Sequence, residues 1–572
     1  MHLRLRRTTA LALMALLSAC TADRSATAPI VPDQATSADV VGIVAATATT
    51  TTVSATVGVP FVLDASRLTF TGLRGTRLLY TVSFAPSANG LSALAGRITG
   101  TPLAVGTVVA TVTATDANGQ RAVRTFTIVV ARLSVAISVS AANSAQAATV
   151  GTAYVYDATR SGTTFTGGNS ALTYTVTFAP TANGLLATNG RITGTPTSTG
   201  TTTATIVARD ATGQTASNSF AIVSFAADLV APTLPGTLLS YSDASAPLPA
   251  HFTAANAPGG GAIAADNTPA TNAITNAGAT LGRVLFYDRR LSLNDRVACG
   301  SCHQQQFAFG DTARLSRGFA DGLTGRHSMA LANARFYANG RFFWDERAAS
   351  LEDQVLQPIQ NTTEMGMTLP LLVTKLAVSP YYASLFQAAF GTAEITTDRV
   401  SRALAQFVRS MVSGTSKFDQ AFSGPGAPNF TAVFTANEVA GQALFTGAAG
   451  CVRCHGTNAL ISDNIHNTGL DATVTDVGAG NGRFKSPSLR NIAVRAPYMH
   501  DGRFATLEQV VEFYNSGVQA NPNLDPRLRA PNGTPQRLNL TATQKAQLVA
   551  YLRTLTDNAF MTNPKFASPF SR

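Results

Sequence analysis

The chain has 572 residues, too many for one hydrophobic core; at ~100–200 residues per domain it divides into about three to five domains. Charged residues are 13% of it against ~25% in an average soluble domain, so Thr, Ser, Asn and Gly carry much of the surface, as suits an exported protein. The net charge of +11 is dispersed rather than gathered into a Lys/Arg run, which argues against a nucleic-acid partner and leaves an acidic protein partner as a use for the excess.

Residues 1–19 open with Arg4, Arg6 and Arg7, continue through an apolar run from Ala10 to Leu17, and end Ser18-Ala19 before Cys20. That run is too short to span a bilayer as a mature helix. The segment resembles a bacterial lipoprotein signal, which implies cleavage before Cys20, lipidation of its thiol, and a protein of the periplasm or cell surface held to the membrane only by that anchor. A plain secretory signal with an incidental Cys is the alternative. Residues 20–48, rich in Ala, Thr and Ser and without a helical or strand period, read as a tether.

Past the tether the chain repeats itself. Ala88-Asn89-Gly90-Leu91, Gly96-Arg97-Ile98-Thr99-Gly100-Thr101-Pro102 and the Asp116 turn recur as Ala182-Asn183-Gly184-Leu185, Gly190-Arg191-Ile192-Thr193-Gly194-Thr195-Pro196 and the Asp210 turn, always 94 residues on. So long a period marks domains, not solenoid units. Each copy alternates apolar and Thr-rich positions between Gly-containing turns, as in Val109-Ala110-Thr111-Val112-Thr113, which predicts two all-β antiparallel sandwiches over 49–132 and 133–226. The pair resembles the Ig-like, cadherin-like modules of bacterial surface proteins. No aromatic stripe or carboxylate cluster marks a binding face, so the expected role is a spacer. Residues 227–272, again Ala, Pro, Gly and Thr with little period, read as a second linker.

From about Thr280 helical signals take over, and two runs carry the chemistry: Cys299-Gly300-Ser301-Cys302-His303 and Cys451-Val452-Arg453-Cys454-His455. C-x-x-C-H is the c-type haem attachment pattern, in which two thiols bond to the porphyrin and the adjoining imidazole ligates iron. A redox C-x-x-C pair or half a Cys₄ zinc site leaves the His after both pairs unexplained. Two covalently bound haem c groups use four of five cysteines, and Cys20 is the fifth.

The order of motifs carries a closer resemblance. Leu281-Gly282-Arg283-Val284-Leu285-Phe286-Tyr287-Asp288 precedes the first haem run. Arg341-Phe342-Phe343-Trp344-Asp345-Glu346-Arg347-Ala348 and Glu364-Met365-Gly366 follow it, and Ser488-Leu489-Arg490-Asn491 through Pro497-Tyr498-Met499-His500-Asp501-Gly502 follows the second. Over residues 275–557 this resembles the bacterial di-haem cytochrome c peroxidase family, which includes MauG-type enzymes. The resemblance implies two mainly α cytochrome c-type domains, 273–430 with a peroxidatic haem and 431–572 with an electron-transfer haem. It also implies Glu364 as acid/base and Gln354 as peroxide-orienting residue on the open face of the first haem, with Trp344 relaying electrons between the haems. The bland reading is that Glu364 caps a helix and Gln354 sits on a solvated face.

Two positions depart from the family pattern. Phe319 stands near the place of a distal His that some members release on reduction, and His327 near that of a calcium-liganding Asn, while Pro497 keeps the other side of an expected calcium site. Thr506 to Gly517 reads as a helix with a Thr506–Gln509 capping box and Leu507, Val510, Val511 and Tyr514 on one face. Tyr514 stands where electron-transfer peroxidases have Met and MauG-type enzymes Tyr, which implies a phenolate ligand that favours oxidised iron; Met499 is the rival. His500 is expected near the second haem, His466 on a polar surface loop, and His251 within the linker. The resemblance implies hydrogen peroxide as substrate and a small c-type cytochrome or cupredoxin as donor. Its alternative is MauG-like oxidation of a protein or organic substrate through a two-haem ferryl state. A surface cytochrome that only passes electrons is the reading from another class, with both irons six-coordinate.

Overall fold

The computed structural model describes residues 44–45, 50–68, 70–71, 77–254, 261–423, 427–461 and 464–571. The signal segment, Cys20 and nearly all of the tether lie outside them. Two compact units divide at Ser134, and each is taken by itself.

The first unit is a sandwich of β1 (Thr50–Thr56), β2 (Phe61–Asp64), β3 (Leu79–Ala85), β4 (Leu91–Leu94), β5 (Arg97–Gly100), β6 (Gly106–Thr115) and β7 (Arg121–Ala131). One sheet runs β1-β7-β6-β3, the other β2-β5-β4. Period-2 patterning does what it predicts: Val108, Ala110 and Val112 of β6 share one buried face with Phe126, Ile128 and Val130 of the adjacent β7. The expectation of a wholly antiparallel sandwich needs correcting, because β1 pairs in parallel with β7. The first strand enters beside the last instead of folding back on its neighbour in a hairpin.

The repeated motifs are turn chemistry. Asn89 Oδ1 accepts from the backbone N–H of Leu103 and Ala104, and its Nδ2 donates to Ala104 O, so the Ala88–Leu91 turn is stapled to the segment after Pro102. Asn183 does the same with Thr197 and Ser198. Asp116 and Asp210 close the hairpins by accepting from the N–H groups two and four residues on.

The second unit holds the other sandwich and the helical region. Its strands β8 (Gln146–Thr149), β9 (Tyr154–Asp157), β10 (Thr173–Ala179), β11 (Leu185–Thr188), β12 (Arg191–Gly194), β13 (Gly200–Arg209) and β14 (Thr215–Phe225) repeat the order β8-β14-β13-β10 and β9-β12-β11, with β8 parallel to β14. Where β14 ends, Arg290 lies over the Phe225 ring and Ala226 N–H donates to Asp295. Asp295 is paired at 2.5 Å with Lys375, both buried; losing either partner would leave an unpaired buried charge, at a cost of about 3–5 kcal/mol.

The expected linker, 227–272, is instead a packed strap over its described residues, 227–254 and 261–272. Thr233 N–H donates to Pro569 O and Tyr241 OH to Lys565 O. Arg335 holds both Asp243 and Asp266 at 2.6 Å, and His251 meets Asp419 at 2.7 Å. Phe252 is buried against Phe336, Tyr337, Ala459 and Ile461. The composition gave no period because irregular backbone is pinned here one side chain at a time.

Two helix pairs frame the haem motifs. In the first, α1 (Asn276–Tyr287), capped by Thr275, packs on α2 (Thr397–Arg409). In the second, α3 (Ala436–Thr446), with a Thr435–Glu438 capping box, packs on α5 (Ala542–Arg553), and α4 (Leu507–Glu512) lies against α5. Each pair touches at a glycine: a Cβ on Gly282 would lie 2.0 Å from Ala403 O, and one on Gly441 2.0 Å from Gln547 O. Among the described residues no single helix is long and apolar enough to cross a membrane.

Candidate functional site

The first haem run folds as one helical turn, Cys299–Cys302, with Ser301 Oγ accepting from Ala298 N–H. His303 N–H donates to Cys299 O, and its Nδ1 lies 2.9 Å from Phe309 O. A carbonyl only accepts, so Nδ1 carries the hydrogen and Nε2 keeps its lone pair for a metal. His455 repeats this, with N–H to Cys451 O and Nδ1 3.3 Å from Leu460 O. Burial holds both imidazoles below the ordinary His range, His455 to about 4, so each is the neutral form that can ligate.

His303 lines a cavity of ≈ 470 Å³ together with Gln354, Glu364, Trp344, Arg347 and His327. Gln354 ends the short helix Leu351–Gln354, capped by Ser350. Glu364 caps no helix. It sits in a turn closed by Asn361, whose side chain accepts from Thr363 and Glu364 N–H, and its carbonyl accepts from Phe319 N–H. Burial raises the Glu364 carboxyl above the usual range, and the Arg347 guanidinium pulls it partly back. No side-chain hydrogen bond or ion pair is recorded for this carboxyl among the described residues. The Phe319 ring packs against Gly366 in the Glu364 loop. His327 is buried, with Nδ1 3.1 Å from Ala313 O. Among the described residues no group of three or more His, Cys, Asp or Glu assembles a metal site, beside Pro497 or elsewhere.

His455 lines a second cavity, ≈ 220 Å³, with Tyr514, Met499, His466 and His500 over an apolar floor that includes Leu507, Val511 and Leu548. The capping box at Thr506 forms as expected, but the helix widens after Glu512 into a π segment, Phe513–Gly517, which carries Tyr514. Such bulges recur at functional sites. Burial pushes the Tyr514 hydroxyl up. Met499 packs in the same cluster as Tyr514.

Trp344 lines both cavities, its Nε1 donating to His327 O at 2.8 Å. It meets the His500 ring edge-on at 6.4 Å, and His500 stacks on Phe484 at 3.7 Å.

Three residues are seen only in the structure. His466, expected at the surface, is buried and bonded to Asp525 at 2.6 Å, with Arg527 against its other nitrogen and Cys454 Sγ. Lys485 and Arg495 are buried cations, and Arg495 Nε has no partner among the described residues. Its one signal in the sequence is that a basic residue in an Arg-Ala-Pro turn is not part of a charged run. A lone-pair imidazole lining each cavity, next in sequence to two thiols, with buried cations nearby that have no ion-pair partner among the described residues, fits one haem c apiece.

Comparison with known proteins supplies relatives. The family model described as Di-haem cytochrome c peroxidase matches residues 276–426, Cytochrome c matches 438–556, and "Putative Ig domain" matches 42–131 and 136–225. The chain is 35% identical over 309 residues to the methylamine utilization protein MauG of Methylorubrum extorquens, covering 52% of this chain and 83% of that one. It is 32% identical over 303 residues to cytochrome c551 peroxidase of Nitrosomonas europaea, covering 51% and 82%. A crystal structure of a MauG-like protein associated with microbial copper homeostasis aligns at 32% identity and TM-score 0.47, covering 54% of this chain and 97% of that one.

Proposed function

Because the chain belongs to the di-haem cytochrome c peroxidase and MauG family, we propose that it reduces hydrogen peroxide at the His303 cavity with electrons that enter through the His455 cavity. One peroxide, two electrons and two protons give two waters. When bound, haem supplies the iron at which peroxide is held and through which electrons pass. The carrying observation is that Glu364 and Gln354 line one cavity with His303, the carboxyl kept inside by burial and not tied up in a salt bridge.

In this reading Glu364 takes the proton from one peroxide oxygen and gives it to the other, which leaves as water. Gln354 orients the peroxide by hydrogen bonding. Trp344, common to both cavities, carries the electron between them. Tyr514 would hold the iron of the second haem through its oxygen, and Phe319, standing near the place of a distal His, leaves no reductive switch at the first. Donor chemistry follows the same logic: a small c-type cytochrome or cupredoxin, acidic enough for a chain of charge +11, reaches the protein outside the cytoplasmic membrane, where the Cys20 lipid holds it. A calcium ion beside Pro497 is no part of this mechanism.

A second reading is favoured by one residue. A phenol oxygen at Tyr514 favours oxidised iron where a thioether would favour reduced iron, which suits oxidation of a protein or organic substrate. The test uses the full chain with both haems. A high-spin ferric signal, and peroxide consumption that requires a reduced small cytochrome, is the expected result. Consumption without that donor, with oxidation of a supplied protein or phenol, selects the second reading. Two six-coordinate irons and no consumption would leave only an electron carrier.

A further inference from the structure

Lys485 is almost fully enclosed, 4% exposed, on the two-residue strand Phe484–Lys485 that pairs with Ile465–His466. Its backbone N–H donates to Trp344 O at 2.8 Å. The ammonium donates to Arg341 O at 3.2 Å and rests 3.7 Å from the centre of the Tyr337 ring and 4.6 Å from that of Phe342. These partners are neutral. Among the described residues no carboxylate lies within ion-pair distance of it; Glu346, whose charge acts on it from further off, is engaged by the Tyr337 hydroxyl. The contrast with Lys375 is instructive: that buried lysine has Asp295 at 2.5 Å. Burying an unpaired ammonium is expensive, and such a group either loses its proton or finds an anion.

The position of Lys485 says which anion. Among the described residues only Trp344, Lys485 and Pro487 line both the His303 cavity and the His455 cavity. Close by, Arg495 is 7% exposed, gives one hydrogen bond to Ser488 O, and leaves Nε unpaired, although Ser488 itself lines the first cavity. Two enclosed cations therefore stand where, among the described residues, no carboxylate comes within ion-pair distance of either, and where each attached haem brings two of its own. We propose that Lys485 is the counter-charge of a haem propionate at the junction of the two cavities, and that its positive charge holds up the reduction potential of the haem it pairs with. This rests on the two haem attachments alone and not on peroxide turnover or on Glu364.

The charge matters because it is fixed beside the shared tryptophan. A cation near iron favours the reduced state, whose net charge is lower by one. Left unpaired, burial would bring the Lys485 amine down to about 7, so that it would shed its proton near neutrality; a propionate partner keeps it charged. The other groups that face this position are Tyr337 and Glu346 on one side. On the other are His466 of the paired strand, and His500, Asp476 and Arg326, gathered around the neighbouring Phe484.

The experiment is a potentiometric titration of both haems in the full-length, haem-loaded protein, with resonance Raman spectra of the propionate bending modes. Lys485→Met is expected to lower the midpoint potential of at least one haem and to shift a propionate mode, while Lys485→Arg retains both. Unchanged potentials and modes in a Lys485→Met protein that carries two haems would overturn the proposal. If that variant does not mature, the wild-type protein decides: the potentials should show no break near pH 7 beyond those that His500→Gln and His466→Gln remove. A break there that survives both substitutions would mean an unpaired amine and refute the pairing.

Discussion

The two cavities are built from the same parts and finished differently. Each begins with a Cys-x-x-Cys-His turn whose His gives its Nδ1 hydrogen to a carbonyl five or six residues on. Each is backed by a helix pair touching at a glycine. Beyond that, the first gathers an amide, an unpaired carboxyl and an Arg around ≈ 470 Å³, and the second closes to ≈ 220 Å³ over leucine and valine with Tyr514 and Met499 inside. The difference teaches that attachment chemistry is set by the motif, whereas the work done at the iron is set by what distant segments bring to its other face.

The largest test of that contrast is Glu364→Gln. Loss of a positioned acid/base is expected to cut peroxide turnover by about 10²–10⁴-fold while the spectrum of the second haem stays as it was. The pH profile sharpens it. The carboxylate is the form that takes the proton, and burial raises its pKa, so wild-type activity should fall with decreasing pH earlier than an ordinary glutamate would allow. That limb should vanish in Glu364→Gln, and an unchanged limb would assign it to another group.

Tyr514→Met tests the other cavity. A thioether in place of the phenol should raise the potential of the second haem and leave the first unaltered. An unmoved potential would remove Tyr514 as ligand and promote Met499. The smallest effect tests what the modules share: Gly282→Ala and Gly441→Ala each thrust a methyl to 2.0 Å from a backbone carbonyl. Each should destabilise by about 1–3 kcal/mol through overpacking, read as a drop in thermal midpoint. A loss at only one site would show that the helix pairs are not equivalent.

The parts legible in the sequence are those fixed by local chemistry. The haem turns, the Thr506–Gln509 box and the twin Asn89 and Asn183 staples depend on neighbours a few residues away, and spacing reveals them. Trp344, Gln354 and Glu364 could be named only because their order resembled a family; nothing in their own spacing brings them to one cavity. Lys485 and His466 were illegible for a physical reason. A Lys or His in a polar stretch is usually solvated, and only the short Ile465–His466 and Phe484–Lys485 pairing carries both inside. The strap over 227–254 and 261–272 was hidden because isolated anchors such as Tyr241, His251 and Phe252 leave no period.

That strap bears on how the protein can be cut. The di-haem family match begins at residue 276, yet Tyr241 belongs to the core around α1, and Phe252 fills space beside Phe336 and Tyr337. A truncation starting at 273 would keep both Cys-x-x-Cys-His turns and still strip a wall from the region that holds them. The smallest piece worth expressing begins upstream, at the second sandwich, because Phe225 and Ala226 already touch Arg290 and Asp295.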